Sequence, residues 1–297
     1  MRMTCPFLRE AQVKYCRTAA VRKLIPLAQA GRTEEKCSSG EYRTCKVFQT
    51  QPLEESADQG PCPFLRESLM QYCAAAPVAK LVPYSESLLS RCGNDSFRYC
   101  ELYLSMAQPG VPSEEVEGLA MPERLRYTAN HMWLDMGEDG MCHVGIDAFL
   151  SRVLGPVDRL TFVQLKGRTR PAAVLTVNGV DLEVMFPNAI LLTGCNLYLR
   201  ANPSRITCDP YTTGWLFEGR PLPETAENLM QGPAARHWME TEQRRMNEFL
   251  QQEQAARSGT MSDGGLFAEG LAHHLDGDWL RVLFHEFFSP YASGKRV

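Results

Sequence analysis

The feature that most constrains this chain is a four-cysteine pattern that occurs twice near its N-terminus. Cys5-Pro6-Phe7-Leu8-Arg9-Glu10 returns as Cys62-Pro63-Phe64-Leu65-Arg66-Glu67. Each copy continues to a Tyr-Cys pair, Tyr15-Cys16 and Tyr72-Cys73. Next come Val21-Arg22-Lys23-Leu24-Ile25-Pro26 and Val78-Ala79-Lys80-Leu81-Val82-Pro83. Two further cysteines close each copy, Cys37 and Cys45 in the first, Cys92 and Cys100 in the second. The spacings are C-x10-C-x20-C-x7-C and C-x10-C-x18-C-x7-C, and the first cysteines are 57 residues apart. Four cysteines held in register twice within one chain mark a structural unit.

A unit of about 45 residues is too small to bury an adequate core unaided. Four thiolates around one metal would supply the missing folding energy. The sequence therefore predicts two cysteine-rich metal-binding modules, residues 1–50 and 58–105, with two metal sites between them. The metal is left open. Neither copy has the C-x2-C knuckles of a zinc ribbon. Widely spaced cysteines also suit a [4Fe-4S] cluster, although the spacing matches neither common ferredoxin run. Eight buried thiols or redox-labile disulfides are the remaining alternative. Within each copy, the stretch between the first two cysteines, such as Phe64 to Tyr72, has the apolar spacing of a short helix.

The chain has 11 cysteines in 297 residues, eight of them in the first hundred. The N-terminus has no apolar stretch of signal-peptide length, so the expected setting is cytoplasmic, where thiols stay reduced. A net charge of −4 gives no general attraction to nucleic acid or anionic lipid. No apolar run reaches the roughly 18 residues of a membrane helix. The partners expected are proteins.

Residues 106–121, with Pro109, Pro112, Glu114, Glu115 and Glu117, read as an exposed linker. Strand-period runs follow: Leu160, Phe162, Val163 and Leu165; Val174 to Val177; Leu191-Leu192; Leu197-Tyr198-Leu199. They predict a small all-β domain, with a short amphipathic helix from Asp147 to Leu154. Cys142, Cys195 and Cys208 read as small hydrophobes of that domain.

A specific resemblance appears over residues 122–220. Tyr127-Thr128, His131, Trp133, Gly140, Val144-Gly145-Ile146, Phe149, Leu154-Gly155, Val157 and Val163-Gln164-Leu165 resemble the opening half of the glycine cleavage H protein. Asp209-Pro210-Tyr211 and Gly214-Trp215-Leu216 resemble its closing segment. The resemblance implies a flattened β-barrel of the barrel-sandwich hybrid type, with a lipoyl-lysine on a hairpin tip. It also implies that His131 is structural and that the hairpin face docks partner proteins.

The chain departs from the family at that tip. Counting back from Phe186-Pro187, the lysine position falls on Gly179, within Asn178-Gly179, a strong type I′ turn signal. Between Lys80 and Lys295 the only lysine is Lys166. Without an amine at the tip no lipoyl amide can form, so no lipoate is expected.

Residues 222–297 are helical in pattern. Leu229, Met230, Trp238, Met239, Met246, Phe249 and Leu250 form one apolar stripe, and Leu271, Leu275, Trp279, Leu283, Phe284 and Phe287 a second, across an Asp263-Gly264-Gly265 break. The stripes can pack internally or join two copies of the chain as a homo-oligomer. His273, His274 and His285 lack metal-ligand spacing and read as polar helix-face residues. No nucleophile elbow, P-loop or dinucleotide fingerprint is present, so no enzymatic activity is expected.

The fold expected is thus multidomain α+β: cysteine-rich modules, an H-protein-like β domain and C-terminal helices. The leading function is a non-enzymatic metal-binding adaptor whose β domain binds protein. Two alternatives stand beside it. One is an electron-transfer or redox-sensing protein with two [4Fe-4S] clusters. The other is a regulator that competes for lipoyl-system partners.

Overall fold

A computed structural model describes residues 4–18, 25–26, 36–50, 61–76, 80–82, 91–107, 114–258 and 267–290. Val21 to Leu24, Val78-Ala79, Pro83 and Asp263-Gly264-Gly265 lie outside the described residues. The chain divides into two compact units, residues 1–97 and 98–297.

In the first unit the strands of the two cysteine copies form one sheet. Strand β1 (Leu8–Cys16) and short β2 (Ile25–Pro26) come from the first copy, followed by one helical turn, α1 (Lys46–Gln49). Strands β3 (Leu65–Cys73) and β4 (Lys80–Val82) come from the second. They assemble in the order β2-β1-β3-β4, with β1 and β3 antiparallel along their whole length. The two separate modules expected from the repeat are therefore not what forms. A two-stranded hairpin is marginal in water, and pairing the long strands of both copies makes four strands from two such hairpins. The same pairing corrects the helix expected over Phe64 to Tyr72. Its residues are strand because tertiary pairing outweighs a short apolar period.

The register is symmetric. Gln12 pairs with Leu69, its own equivalent 57 residues on. An approximate two-fold axis thus passes through that pair. Matching contacts repeat about it: the Arg9 guanidinium donates to the Pro6 carbonyl at 2.7 Å and Arg66 to that of Pro63 at 3.0 Å. Gln71 bonds Glu10 at 2.9 Å, and Lys14 stands 3.7 Å from Glu67 at the symmetry-related place.

The second unit opens with α2 (Glu101–Ala107), so the last cysteine of the second copy, Cys100, falls here. The expected linker is then corrected. Within it lies a hairpin, β5 (Glu114–Val116) and β6 (Leu119–Met121), turned by Glu117 and Gly118, both at positive φ. Val116, Leu119 and Met121 are buried, and Gln243 donates to the Val116 carbonyl at 3.1 Å. Glu115 and Glu117 are exposed on its solvent face, and its apolar residues dock into the core.

Two open sheets form the β domain, not a closed barrel. One has the order β11-β14-β15-β9-β8-β7: β7 (Arg126–Tyr127), β8 (Met132–Met136), β9 (Cys142–Ile146), β11 (Gly167–Thr169), β14 (Ile190–Cys195) and β15 (Phe217–Pro221). The other has the order β10-β12-β13: β10 (Arg159–Phe162), β12 (Ala172–Val177) and β13 (Val180–Met185). Alternation buries Val180, Leu182 and Val184 on one face of β13 while Asp181 and Glu183 face out. The sheets share one core, where the Phe162 ring meets Phe217 edge-on at 5.7 Å. Between β9 and β10 lies the expected helix, α3 (Ala148–Leu154), capped by Asp147, whose carboxylate accepts from the Leu150 amide at 2.9 Å.

The apolar stripes of the C-terminal third are used internally. Short α4 (Arg205–Cys208) precedes β15, and α5 (Pro233–Ser258) and α6 (Gly277–Phe288) follow it. Met239, Met246, Leu280, Leu283 and Phe287 belong to the same core as the sheets. Phe249 meets Trp279 at 5.2 Å and Phe287 at 5.5 Å, joining the two helices. The described residues of 222–290 are therefore part of the β unit, and of the two uses open to the stripes, internal packing takes up most of their apolar side chains. Among the described residues, no helix is long and apolar enough to cross a membrane.

Candidate functional site: the hairpin tip, a buried histidine and the cysteine repeat

The two sequence segments that carried the resemblance meet in space. Cross-strand pairing sets Trp133 opposite Gly145, and a Cβ added at Gly145 would stand 2.5 Å from the indole ring. Only glycine leaves room for that ring. The Trp133 indole donates to the Pro210 carbonyl at 3.1 Å. Tyr211 accepts from the Ala148 amide at 2.9 Å and donates to the Ala120 carbonyl at 2.7 Å. Asp209 holds its own turn, accepting from the Thr213 amide and hydroxyl and from the Thr212 hydroxyl.

At the free end of β12 and β13 stands the Asn178-Gly179 turn. Its φ angles of 51° and 74° are those of the predicted two-residue hairpin. A Cβ added at Gly179 would have nothing within 4 Å, so a side chain there would enter open space. The flanking groups are polar: Thr176 donates to Asp181 at 2.6 Å and Arg159 stands 3.6 Å from Asp181. Lys166 is exposed, but in the connection between β10 and β11.

The exposed apolar side chains gather elsewhere. Val163 and Leu165 are 53% and 47% exposed, and Leu197 and Tyr198 are 52% and 68% exposed. The two segments adjoin, since the Cys195 thiol donates to the Gln164 carbonyl at 3.4 Å. Phe162 pairs with Ala173, at the far end of β12 from the tip. This cluster was not evident in the sequence, where Val163, Leu165, Leu197 and Tyr198 read as strand. In the structure β10 ends at Phe162, and residues 197–200 form a 3-10 turn that leaves Tyr198 outward.

His131 is structural, as expected, but its surroundings are ionic. It is fully buried at φ 61°, stacked on Phe149 at 4.1 Å and against Trp238 at 4.8 Å. Its Nδ1 lies 2.8 Å from Asp147, and its Nε2 3.7 Å from Glu242. Burial opposes charging the ring, but the two carboxylates outweigh it and raise its pKa to about 9. Glu242 is also buried. His131 and Arg245 overcome the burial effect and hold its pKa below the usual carboxylate value. Arg245 then reaches Glu286 of α6 at 2.8 Å. Asp147 could be anticipated as a helix cap. Glu242, more than a hundred residues from His131, had no local signal.

Among the described residues the remaining histidines form no grouping that could hold a metal ion. His273 bonds the Pro156 carbonyl at 2.9 Å. His285 borders a groove of about 220 Å³ between β13 and α6, with Asp181, Glu183, Arg281 and Phe284. Of the three late cysteines only Cys142 is fully buried, and its thiol pKa is pushed up to about 12 by burial. Cys195 is half-buried and packs against the core, whereas Cys208 is exposed, which corrects its reading as a small hydrophobe of the domain.

The cysteine copies are brought together by backbone contacts. The Cys5 amide donates to the Cys92 carbonyl and the Cys62 amide to the Cys37 carbonyl, both at 2.8 Å. Cys73 stands opposite Leu8, three residues from Cys5, and Cys16 opposite Leu65, three residues from Cys62. Among the described residues, no three His, Cys, Asp or Glu side chains are placed together as ligands for a metal ion.

Residues 125–242 match the family model of the glycine cleavage H-protein. The glycine cleavage system H protein of Neisseria meningitidis is 31% identical over 107 residues, which are 34% of this chain and 81% of that protein. That of Streptomyces coelicolor is 33% identical over 119 residues, 37% of this chain and 91% of that protein. A crystal structure of the H protein from Mycobacterium marinum aligns over 41% of this chain and 98% of its own, at 21% identity and a TM-score of 0.36. By these sequence matches, over residues 125–242, the chain belongs to the glycine cleavage H-protein family.

Proposed function

We propose that this protein is a non-lipoylated, protein-binding member of the H-protein family, joined to a metal-binding cysteine repeat. The observation that carries the first part is the hairpin tip: Asn178-Gly179 turns the chain with no side-chain amine to accept an acyl group. Gly179 takes the place of the lipoyl-lysine. Lys166 lies in a different connection and does not stand in for it. Without that amine the domain retains a recognition surface and loses the carrier chemistry.

The exposed Val163, Leu165, Leu197 and Tyr198 support a docking role, because adjoining exposed apolar side chains of this kind are a mark of protein-binding surfaces. The polar tip is the poorer candidate, contrary to the hairpin-face docking expected from the resemblance. For the repeat, eight cysteines in two registered sets support two soft-metal centres, [4Fe-4S] or zinc. An anaerobic preparation that is brown and absorbs near the thiolate–iron band would favour the redox reading, and a colourless zinc-loaded one the adaptor.

The carrier question is settled by intact mass after co-expression with a lipoate ligase. The expected mass is unmodified, and a lipoyl group on any residue of 122–220 would overturn the proposal. Pull-downs with the decarboxylase, aminomethyltransferase and lipoamide dehydrogenase of the glycine cleavage system test the competitor reading. Retention that is lost on Tyr198→Glu would support it, and no retention at micromolar concentration would remove it.

A further inference from the structure

We infer that the repeat binds metal in exchanged sets, with Cys62 of the second copy completing a centre formed with Cys16, Cys37 and Cys45 of the first. This rests on the metal reading above and goes beyond it by assigning ligands to a centre. Three independent contacts bring Cys62 to this set. Cys16 ends β1 opposite Leu65, and the Leu65 amide closes a turn onto the Cys62 carbonyl at 2.9 Å. The Cys62 amide donates to the Cys37 carbonyl at 2.8 Å. Phe48, in the helical turn that follows Cys45, meets the Phe64 ring at 5.9 Å, two residues from Cys62.

The alternative, one centre per copy, fails on distance. Cys5 turns into the start of β1 through the Leu8 amide, and Cys16 is at its other end. Eight strand steps of about 3.3 Å separate Leu8 from Cys16 by about 26 Å. A β-turn returns less than about 7 Å of that. Sulfurs on one zinc lie about 2.3 Å from the metal, so their backbones cannot be so far apart. The same two-fold arrangement takes Cys5 to Cys73 and Cys92 instead. Loading would then tie the copies to each other across the β1–β3 seam, and the repeat would fold as a pair or not at all.

The grouping is read from metal stoichiometry on the full-length protein, purified anaerobically, with zinc and iron measured per chain. Wild type is expected to hold two centres. Exchange predicts that the Cys5→Ser, Cys16→Ser double variant loses both centres and that Cys16→Ser, Cys62→Ser keeps one. Ligation within each copy predicts the reverse, and that pattern would overturn the exchange while leaving the metal reading intact. A metal-free wild type would remove the metal reading and the exchange with it. Should the serine variants fail to fold, wild type under graded chelation answers the same question by mass-mapped alkylation. Cys16, Cys37, Cys45 and Cys62 are expected to become reactive together. Joint exposure of Cys5 with Cys16, ahead of Cys62, would refute the exchange.

Discussion

The His131 site predicts a pH-dependent stability whose sign and size follow from its geometry. A ring that titrates near 6.5 when unfolded and near 9 when folded binds its proton more tightly in the native state. Its contribution is complete below pH 6.5 and is lost as pH rises through 9. A rise of that size, at about 1.4 kcal/mol for each pH unit, corresponds to about 3 kcal/mol. For a domain whose total stability is about 5–15 kcal/mol this is a large share. Urea unfolding of the full chain, followed by tryptophan fluorescence at intervals from pH 6 to 9, measures the slope. Cys142 and the buried tyrosines also favour their protonated forms, and their effects emerge mainly above about pH 8.5. The control is His131→Gln, which keeps a hydrogen-bonding side chain beside Asp147 and removes the titration. The variant is expected to be less stable by about 3–5 kcal/mol at pH 6, since it leaves the buried Asp147 carboxylate without its counter-charge, whereas Glu242 keeps Arg245. The gap between the two proteins should close by about 3 kcal/mol between pH 6.5 and 9. Parallel stability curves across that range would refute the assignment of a charged histidine to this site.

Gly145→Ala should cost about 1–3 kcal/mol and lower the melting temperature, because the new methyl group would meet the Trp133 indole at 2.5 Å. Gly179→Lys should fold with a loss of only about 1–2 kcal/mol, from the left-handed backbone alone, since the space around the tip is open; a loss above about 4 kcal/mol in denaturant titration would contradict the open tip. Arg245→Lys should weaken the α5–α6 junction by about 1–3 kcal/mol, because a lysine cannot bridge Glu242 and Glu286 while lying on the Phe287 ring at 4.2 Å. Hydrogen exchange in α6 should rise with it, and unchanged protection would count against the bridge.

Much of the β unit was legible because local chemistry and tertiary contact agree. Asn178-Gly179 needs positive φ at both positions and forms the hairpin it signals. Asp147 at the head of an amphipathic run caps the helix it predicts. Val174 to Val177 alternate and form strand. Leu197-Tyr198-Leu199 has similar apolar content but forms a 3-10 turn. The preceding Asn196 donates to the carbonyls of Thr213 and Trp215, and Leu199 is drawn inward while Tyr198 is left outside. The hairpin hidden in residues 114–121 was obscured by its prolines upstream and its acidic residues, which together read as an exposed linker.

The sequence by itself determined that two equivalent cysteine units exist, that the H-like segment has its two anchors, and that no amine stands at the hairpin tip. These are matters of residue identity and spacing, which no folding step alters. Only the tertiary structure decided that the repeat strands pair with each other, that His131 sits between Asp147 and Glu242, and that the C-terminal helices complete the β core. Each joins residues far apart in the chain, where a hydrogen bond or buried ion pair is fixed by which surfaces meet. Periodicity along one strand or helix records which face is apolar, but not what covers it.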